Sequence, residues 1–262
     1  MRVDNGRGRH YEINGKFYPS VTTILSAINK PALVNWSASV ERQMVTFEAG
    51  KLYEELHGQE KITSTKWALM LEERLGKERE HARQLRKAGE IGSQVHAMIE
   101  WTLRNMMCEE QGPSPSIGAK ASWAFTQWLK WKDSVKLKPI LIEHTVYSKT
   151  YEYAGTMDLL ADINGKLSVV DWKTGKAIYP EAILQNAAYR YAVWEMGIGV
   201  PVPPKGFIVR LPKNENDPEF EVADAGRLAE NLNTFLDVKK VWRWINESSV
   251  PSGQDIVPAQ AT

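Results

Sequence analysis

Two aspartates and a lysine flank an Asn-Gly turn. Gly155-Thr-Met-Asp158 comes before it, Val170-Asp171-Trp-Lys173-Thr174 after it, and Asn164-Gly165 forms the tip. Asn-Gly between two apolar runs is the strongest short-range hairpin signal, because both turn residues must take positive φ. A two-residue turn sets the register: residue 163 faces 166, so paired numbers sum to 329. Asp158 is then expected opposite Asp171, and Thr156 opposite Lys173. Period-2 alternation puts Asp158, Asp171 and Lys173 on one face of the sheet. Facing Cβ atoms sit about 4.5–5.5 Å apart. Carboxylates that close repel unless a cation or a proton lies between them. The chemistry expected is a divalent-metal site, with a lysine beside it to meet negative charge developing in a transition state.

The competing reading is a hairpin with one solvated, charged face. Two features weigh against it. Like charges face each other across the strands, which costs stability. The flanks Leu159-Leu160 and Val169-Val170 read as strands buried on both faces. His96 offers a nitrogen ligand, which favours Mn²⁺ over Mg²⁺; taken alone it reads first as a satisfied core or surface histidine. Gln185 and Tyr189, four apart, project from one face of a helix and can both hydrogen-bond to phosphate. Polar residues on a half-buried helix explain them as well. Aspartate, aspartate and lysine around a metal suit metal-assisted hydrolysis of a phosphodiester. A carboxylate pair about 5 Å apart also fits a retaining glycosidase, but such sites do not call for this lysine. Thr174-Gly-Lys-Ala lacks the spacing of a phosphate loop, and neither a zinc His-Glu-x-x-His nor a Gly-x-Ser-x-Gly elbow occurs.

The elements that must carry these residues follow from the pattern. Residues 10–18 read as a hairpin on a second Asn-Gly turn, and Ser20 as the cap of a helix. Residues 32–57 and 64–88 read as helices. Gly89 and Gly92 break the pattern, and Ser93 opens the helix that carries His96 to Met107, with Val95, Ile99, Leu103 and Met106 as its apolar stripe. Another helix covers 118–135, with Ala124, Trp128, Trp131 and Val135 inward. Strands follow at 139–148, 153–163 and 166–174. A helix from Pro180 to about Met196, strands 205–211 and 219–222, and a helix 225–246 complete the order. Three portions are expected: 1–88, a hairpin and helices packed on the core; 89–247, the core; and 248–262, a Pro/Gly/Gln-rich disordered tail.

Composition narrows the partners. The chain has 262 residues, net charge +1 and one cysteine, Cys108. Any nucleic-acid contact must come from a local patch rather than a global field. A single cysteine excludes an internal disulfide framework and suggests a reducing compartment. No apolar run approaches the span of a bilayer, and the first residues lack the apolar core of a signal peptide. These readings make the protein soluble and intracellular. The charged run Glu72 to Lys87 reads first as a solvated helix face. A passage lined by Lys77, Arg79, Arg83, Arg86 and Lys87 is the alternative, with aromatic side chains, drawn from ten tryptophans, to stack bases.

Taken in order, Gly155-x-x-Asp158, Asp171-Trp-Lys173-Thr174 and Gln185-x-x-x-Tyr189 resemble the PD-(D/E)XK nuclease superfamily in its RecB-like branch. Gly92-x-x-Val95-His96 resembles that branch's glycine-and-histidine helix. Tyr18-Pro-Ser-Val-Thr-Thr-Ile-Leu25 is similar to the opening of phage RecB-like exonucleases and of mitochondrial genome maintenance exonuclease. The resemblance implies an α/β fold: a restriction-endonuclease-like α-β-β-β-α-β core with a mixed central sheet. It implies dependence on Mg²⁺ or Mn²⁺, with His96, Asp158, Asp171 and the Trp172 carbonyl as ligands. Glu143, a weaker match, would hold a water in the metal shell. Lys173 would orient or activate the attacking water, and Gln185 and Tyr189 would position substrate and lysine. Some RecB-like nucleases carry a four-cysteine iron–sulfur cluster, which one cysteine cannot build. The activity implied is exonuclease action on DNA ends, single strands preferred, in replication, recombination or repair. The setting implied is the cytoplasm of a bacterium or phage-infected cell, and a helicase or a single-strand-binding or annealing protein is the implied partner. A structure-specific endonuclease and a non-catalytic DNA-binding recombination partner are the alternatives.

Overall fold

The computed structural model describes residues 2–4, 8–28, 30–57, 62–198 and 204–247. A small antiparallel sheet comes first: β1 (Arg2–Asp4), β2 (Arg9–Ile13) and β3 (Lys16–Pro19). Its Asn14-Gly15 turn has both residues at positive φ, 52° and 75°. Ser20 then caps the short helix α1 (Val21–Leu25), its hydroxyl accepting from the Thr23 N–H at 2.9 Å. Four longer helices follow: α2 (Pro31–Leu56), α3 (Ser64–Leu75), α4 (Glu80–Met106) and α5 (Ala119–Asp133). The central sheet has the order β4 (Leu137–Ser148), β5 (Tyr153–Ile163), β6 (Lys166–Thr174), β7 (Lys205–Leu211) and β8 (Glu221–Asp224). All its pairs are antiparallel except β6 with β7. A parallel pair needs a crossover, which α6 (Pro180–Glu195) provides; α7 (Leu228–Glu247) closes the described chain. The α-β-β-β-α-β order and the mixed sheet expected from the sequence are present. Residues 248–262, read as a disordered tail, lie outside the described residues. Among the described residues, no helix is long and apolar enough to cross a membrane.

The central sheet is covered on both faces. One core joins α1, α6 and α7 to the sheet through Ile24, Tyr153, Leu160, Ala188 and Phe235. The other joins α4 and α5 to the opposite face through Ile99, Leu103, Trp128, Leu159 and Val170. Trp172 is held edge-on by Trp128 and Trp131, at centroid distances of 6.1 and 5.1 Å. Burying a large side chain contributes roughly 1.5–3 kcal/mol, so this trio anchors the β6 backbone between Asp171 and Lys173.

One expected helix boundary moves. Neither Gly89 nor Gly92 ends a helix: α4 runs unbroken from Glu80 to Met106, and the break falls at Gly76, φ 68°. A mid-helix glycine costs only about 1 kcal/mol relative to alanine, which packing outweighs. Gly92 has a packing reason, since a Cβ there would stand 3.0 Å from the Thr174 hydroxyl. Ser93 is therefore an interior helix residue, not a cap. Met106, placed in the apolar stripe by spacing, is 43% exposed, while Val95, Ile99 and Leu103 are buried.

The feature that decides the site is a fork. β5 and β6 pair from Ile163↔Lys166 up to Leu159↔Val170, in the register that sums to 329. The ladder then ends. From there β5 stays with β4 alone, out to Ser148↔Tyr153, and β6 stays with β7 alone, out to Thr174↔Leu211. The expected pairs Asp158–Asp171 and Thr156–Lys173 are therefore not formed, and Asp158 and Asp171 stand where the strands part. The alternation slips at the same level. Met157 and Leu160, three apart, pack into one core, as do Leu141 and Val146, five apart; strict alternation forbids both. The slip lies where Glu143 meets Asp158, for Ile142↔Leu159 and His144↔Met157 pair but these two do not. Glu143 takes φ 46°, a left-handed conformation that costs a non-glycine residue about 1–3 kcal/mol.

Candidate active site

Asp158 sits at the base of the fork and is 8% exposed; Asp171 is 1% exposed. Those values rule out the solvated-face reading of the hairpin. Because the ladder has stopped, the Trp172 N–H lacks a strand partner and donates instead to Asp158 Oδ2 at 2.8 Å. The other oxygen, Oδ1, lies 3.7 Å from His96 Nδ1, and Glu143 Oε1 lies 3.6 Å from the same nitrogen. One donor atom from each of His96, Glu143 and Asp158 falls within 4.8 Å of the others. Three elements thus converge: α4 brings the imidazole, strained β4 the glutamate and forked β5 the aspartate.

Asp171 stands beside this group rather than in it. Lys173 Nζ lies 2.5 Å from Asp171 Oδ2, so the lysine two residues along its own strand neutralises this carboxylate directly. The Lys173 ammonium holds Asp171 Oδ2, while Asp171 Oδ1 is buried without a hydrogen-bond partner. From Lys173 a chain of contacts leads into α6. Its Nζ donates to Gln185 Oε1 at 3.1 Å, and Gln185 Nε2 donates to the Tyr189 hydroxyl at 3.1 Å. Tyr189 fits because residue 155 is glycine: a Cβ there would lie 2.5 Å from Tyr189 Cε1. Trp172 also borders the cleft, and since its ring is buried on the opposite face it offers the cleft its main chain.

The charges confirm how crowded the fork is. Burial pushes both aspartates up, Asp171 to about 6, against the lowering pull of Lys173 on Asp171 and of His96 and Lys173 on Asp158. Burial would push His96 down, but the Asp158 charge and Glu143 carry it up to about 9. Burial also lowers Lys173, and Asp171 and Asp158 overcome it and raise its pKa. Burial pushes the Tyr189 hydroxyl well above its usual range, so it stays a neutral hydrogen-bonding group. Desolvated carboxylates, with Asp171 Oδ1 unpartnered, are a donor set suited to a hard divalent cation.

The cleft over these residues measures about 590 Å³. Residues outside the expected site also line it: Arg9, Tyr11, Ser20 and Thr22 from the N-terminal portion, and from α4 Ser93 and Glu100, the latter one turn beyond His96 as the helical spacing expects. Ser20 and Thr22 belong to the Tyr18–Leu25 motif, which was a usable signal; Arg9 and Tyr11 carried none. The small sheet comes here because Tyr11 hydrogen-bonds Thr156 across the fork at 2.9 Å and Ser20 bridges Ala154 on β5. The basic residues proposed for a passage lie elsewhere. Lys77 and Arg79 border a separate cavity among Glu41, Glu72, Glu78 and Glu80. Arg83 pairs with Glu80, and Arg86 with Glu78 and Glu90. For Arg83 and Arg86 this pairing is what the solvated-face reading of that run expects.

A family model for the PD-(D/E)XK nuclease superfamily matches residues 63–251. No curated protein matches the chain. Among solved structures the chain is similar to the crystal structure of SSO0001, at 16% identity and a TM-score of 0.34, covering 83% of this chain and 96% of that one. The family match spans well over half of the sequence, the central sheet is that of a restriction-endonuclease-like fold, and the chain belongs to the PD-(D/E)XK nuclease superfamily.

Proposed function

We propose that this protein is a metal-dependent exonuclease that hydrolyses DNA from free ends, preferring single strands, in replication, recombination or repair. The observation that carries the reading is the fork: a triad of metal donors on one side, and the Asp171–Lys173–Gln185–Tyr189 chain on the other. His96, Asp158 and Asp171 would hold Mg²⁺ or Mn²⁺ together with the Trp172 carbonyl, and Glu143 would do so through water. A divalent ion held there would supply Lewis acidity at the scissile phosphate and at an attacking water. Lys173 meets the negative charge that builds up in attack, and its position is set by Asp171 and Gln185. Tyr189 holds Gln185 in turn, braced against Gly155.

Preference for ends is supported by the N-terminal portion. The small sheet and α1 lean on β5 through Ser20 and Tyr11, so one side of the cleft is walled. Net charge of +1 offers no broad field for duplex, whose non-specific affinity needs many phosphate contacts. A helicase or an annealing protein would supply single strands. The test is digestion of end-labelled linear and closed circular single strands with Mg²⁺, Mn²⁺ or excess EDTA. Linear strands should shorten from an end with either metal, circles should survive, and EDTA should stop the reaction. Undiminished cleavage in EDTA would sink the metal reading, and rapid opening of circles would replace the exonuclease with an endonuclease.

A further inference from the structure

A second cleft, of about 670 Å³, adjoins the first. Thr22, Lys173, Thr174 and Gln185 line both, so the two form one groove with the Lys173–Gln185 hydrogen bond at the divide. His96, Glu143 and Asp158 face only the first cleft. The second is walled by Leu25 and Ile28 on one side and by Ala177, Tyr179 and Ala182 on the other. The Lys30–Glu181 ion pair, at 2.5 Å, ties the start of α2 to the start of α6 along its edge. Its volume lies within the range of clefts that take organic ligands, roughly 300–1,000 Å³.

Tyr179 serves the fold poorly where it stands. It occupies the N-cap of α6, a position that favours serine, threonine, aspartate or asparagine, and no side chain caps that helix. It is 55% exposed. Among the described residues its ring meets no other ring and no cation. A lone exposed aromatic is ordinary on a surface. This one faces a mainly apolar cleft that opens onto the lysine of the catalytic chain.

We infer that Tyr179 is a base-stacking residue for the substrate strand. The nucleoside next to the scissile phosphate, on the Lys173 side, lies in the second cleft with its base against the Tyr179 ring. This inference rests on the nuclease reading above and adds a subsite to it. Every base presents a π-face, so an aromatic platform holds any of them. Leu25, Ile28 and Ala177 add apolar contact that any base accepts. The subsite would therefore place the strand without reading its sequence, and would align the phosphate over the fork.

Single-turnover cleavage tests this with linear single strands that each carry one abasic residue, stepped along the strand, using wild type, Tyr179→Phe and Tyr179→Ala. On intact strands Tyr179→Ala should cleave about tenfold more slowly than wild type, the size of one lost base stack. Tyr179→Phe should match wild type, because the ring and not the hydroxyl acts. With the abasic residue in the second cleft, the three proteins should converge; at other positions the tenfold gap should persist. Equal rates for Tyr179→Ala and wild type on intact strands would overturn the stacking role while leaving the nuclease reading intact. A gap that persists at every abasic position would do the same and point to a purely structural effect. Absence of metal-dependent cleavage of any strand by wild type would overturn the nuclease reading, and this inference with it.

Discussion

The two halves of the β5–β6 hairpin contrast sharply. The closed half, from 159 to 170, is a regular ladder around the Asn164-Gly165 turn, with Leu159, Leu160, Val169 and Val170 all buried. The open half is unpaired across the fork, contains the alternation slip, faces a strained Glu143, and holds Asp158, Asp171 and Lys173. Hydrogen bonds between strands satisfy backbone groups at little cost but leave no room for a ligand. Parting the strands frees a volume and a set of polar groups, and the side chains that fill it must then satisfy one another. The Trp172 N–H turning to Asp158 is that exchange in one bond. The closed half stabilises the fold, and the open half gathers the charged and metal-donor groups.

The comparison is broken most severely at Asp171. Asp171→Asn should lower cleavage at least about a thousandfold and weaken metal binding, with the melting transition retained. The fold should hold because Lys173 keeps Asp158 nearby and a third of its own side chain in solvent. A variant that keeps near wild-type cleavage would remove Asp171 from the site. Lys173→Ala should cost about a hundredfold in single-turnover rate with little change in DNA affinity, since its charge matters mainly in the transition state. Loss of affinity with chemistry retained would make it a phosphate anchor.

Two substitutions sharpen the contrast from opposite sides. In the closed half, Leu160→Ala should cost about 2–5 kcal/mol of stability, with activity per folded molecule unchanged. In the open half, Gly155→Ala forces its new Cβ into Tyr189. It should cost about 1–3 kcal/mol and slow cleavage as well, because Tyr189 supports Gln185 and Lys173. Chemical denaturation and rates per active molecule separate the two effects; equal behaviour of the pair would erase the division. The smallest effect is a proton count. Without metal His96 is carried up to about 9, so at pH 7 it is protonated, and a ligand imidazole must be neutral. Metal binding at pH 7 should release about one proton, and affinity should fall as pH drops below about 9. Calorimetry in two buffers of different ionisation enthalpy measures this, and His96→Ala should abolish it. Binding with no proton release would take His96 out of the ligand set.

The closed half was legible because its signals are local. An Asn-Gly turn demands positive φ, and a two-residue loop sets the register of the residues that follow, so β5 and β6 were placed to the residue. Asp158, Asp171 and Lys173 stood out by type and order. Carrying the register outward failed, because a hairpin's turn governs only the pairs that the ladder reaches. What ends the ladder is remote: β4 and β7 draw the two strands apart, α6 inserts Gln185 and Tyr189, and Tyr11 and Ser20 arrive from the other end of the chain. The break assigned to Gly89 and Gly92 failed for a related reason. Intrinsic helix cost is small, and Gly92 is used to bring α4 close to Thr174.

Sequence by itself determined the turn, the extents of β5 and β6, the buried flanks and the identity of the charged groups, since each depends on neighbours within a few residues; β4 and β8, expected at 139–148 and 219–222, run instead over Leu137–Ser148 and Glu221–Asp224. Only the tertiary structure decided that Glu143 and His96 join Asp158 while Asp171 turns to Lys173. It also decided that the cleft is walled by the N-terminal sheet and opens onto a second cleft beside Tyr179. Those outcomes depend on where separate elements stop pairing and begin to pack, and burial at their meeting point decides which charges must find a partner.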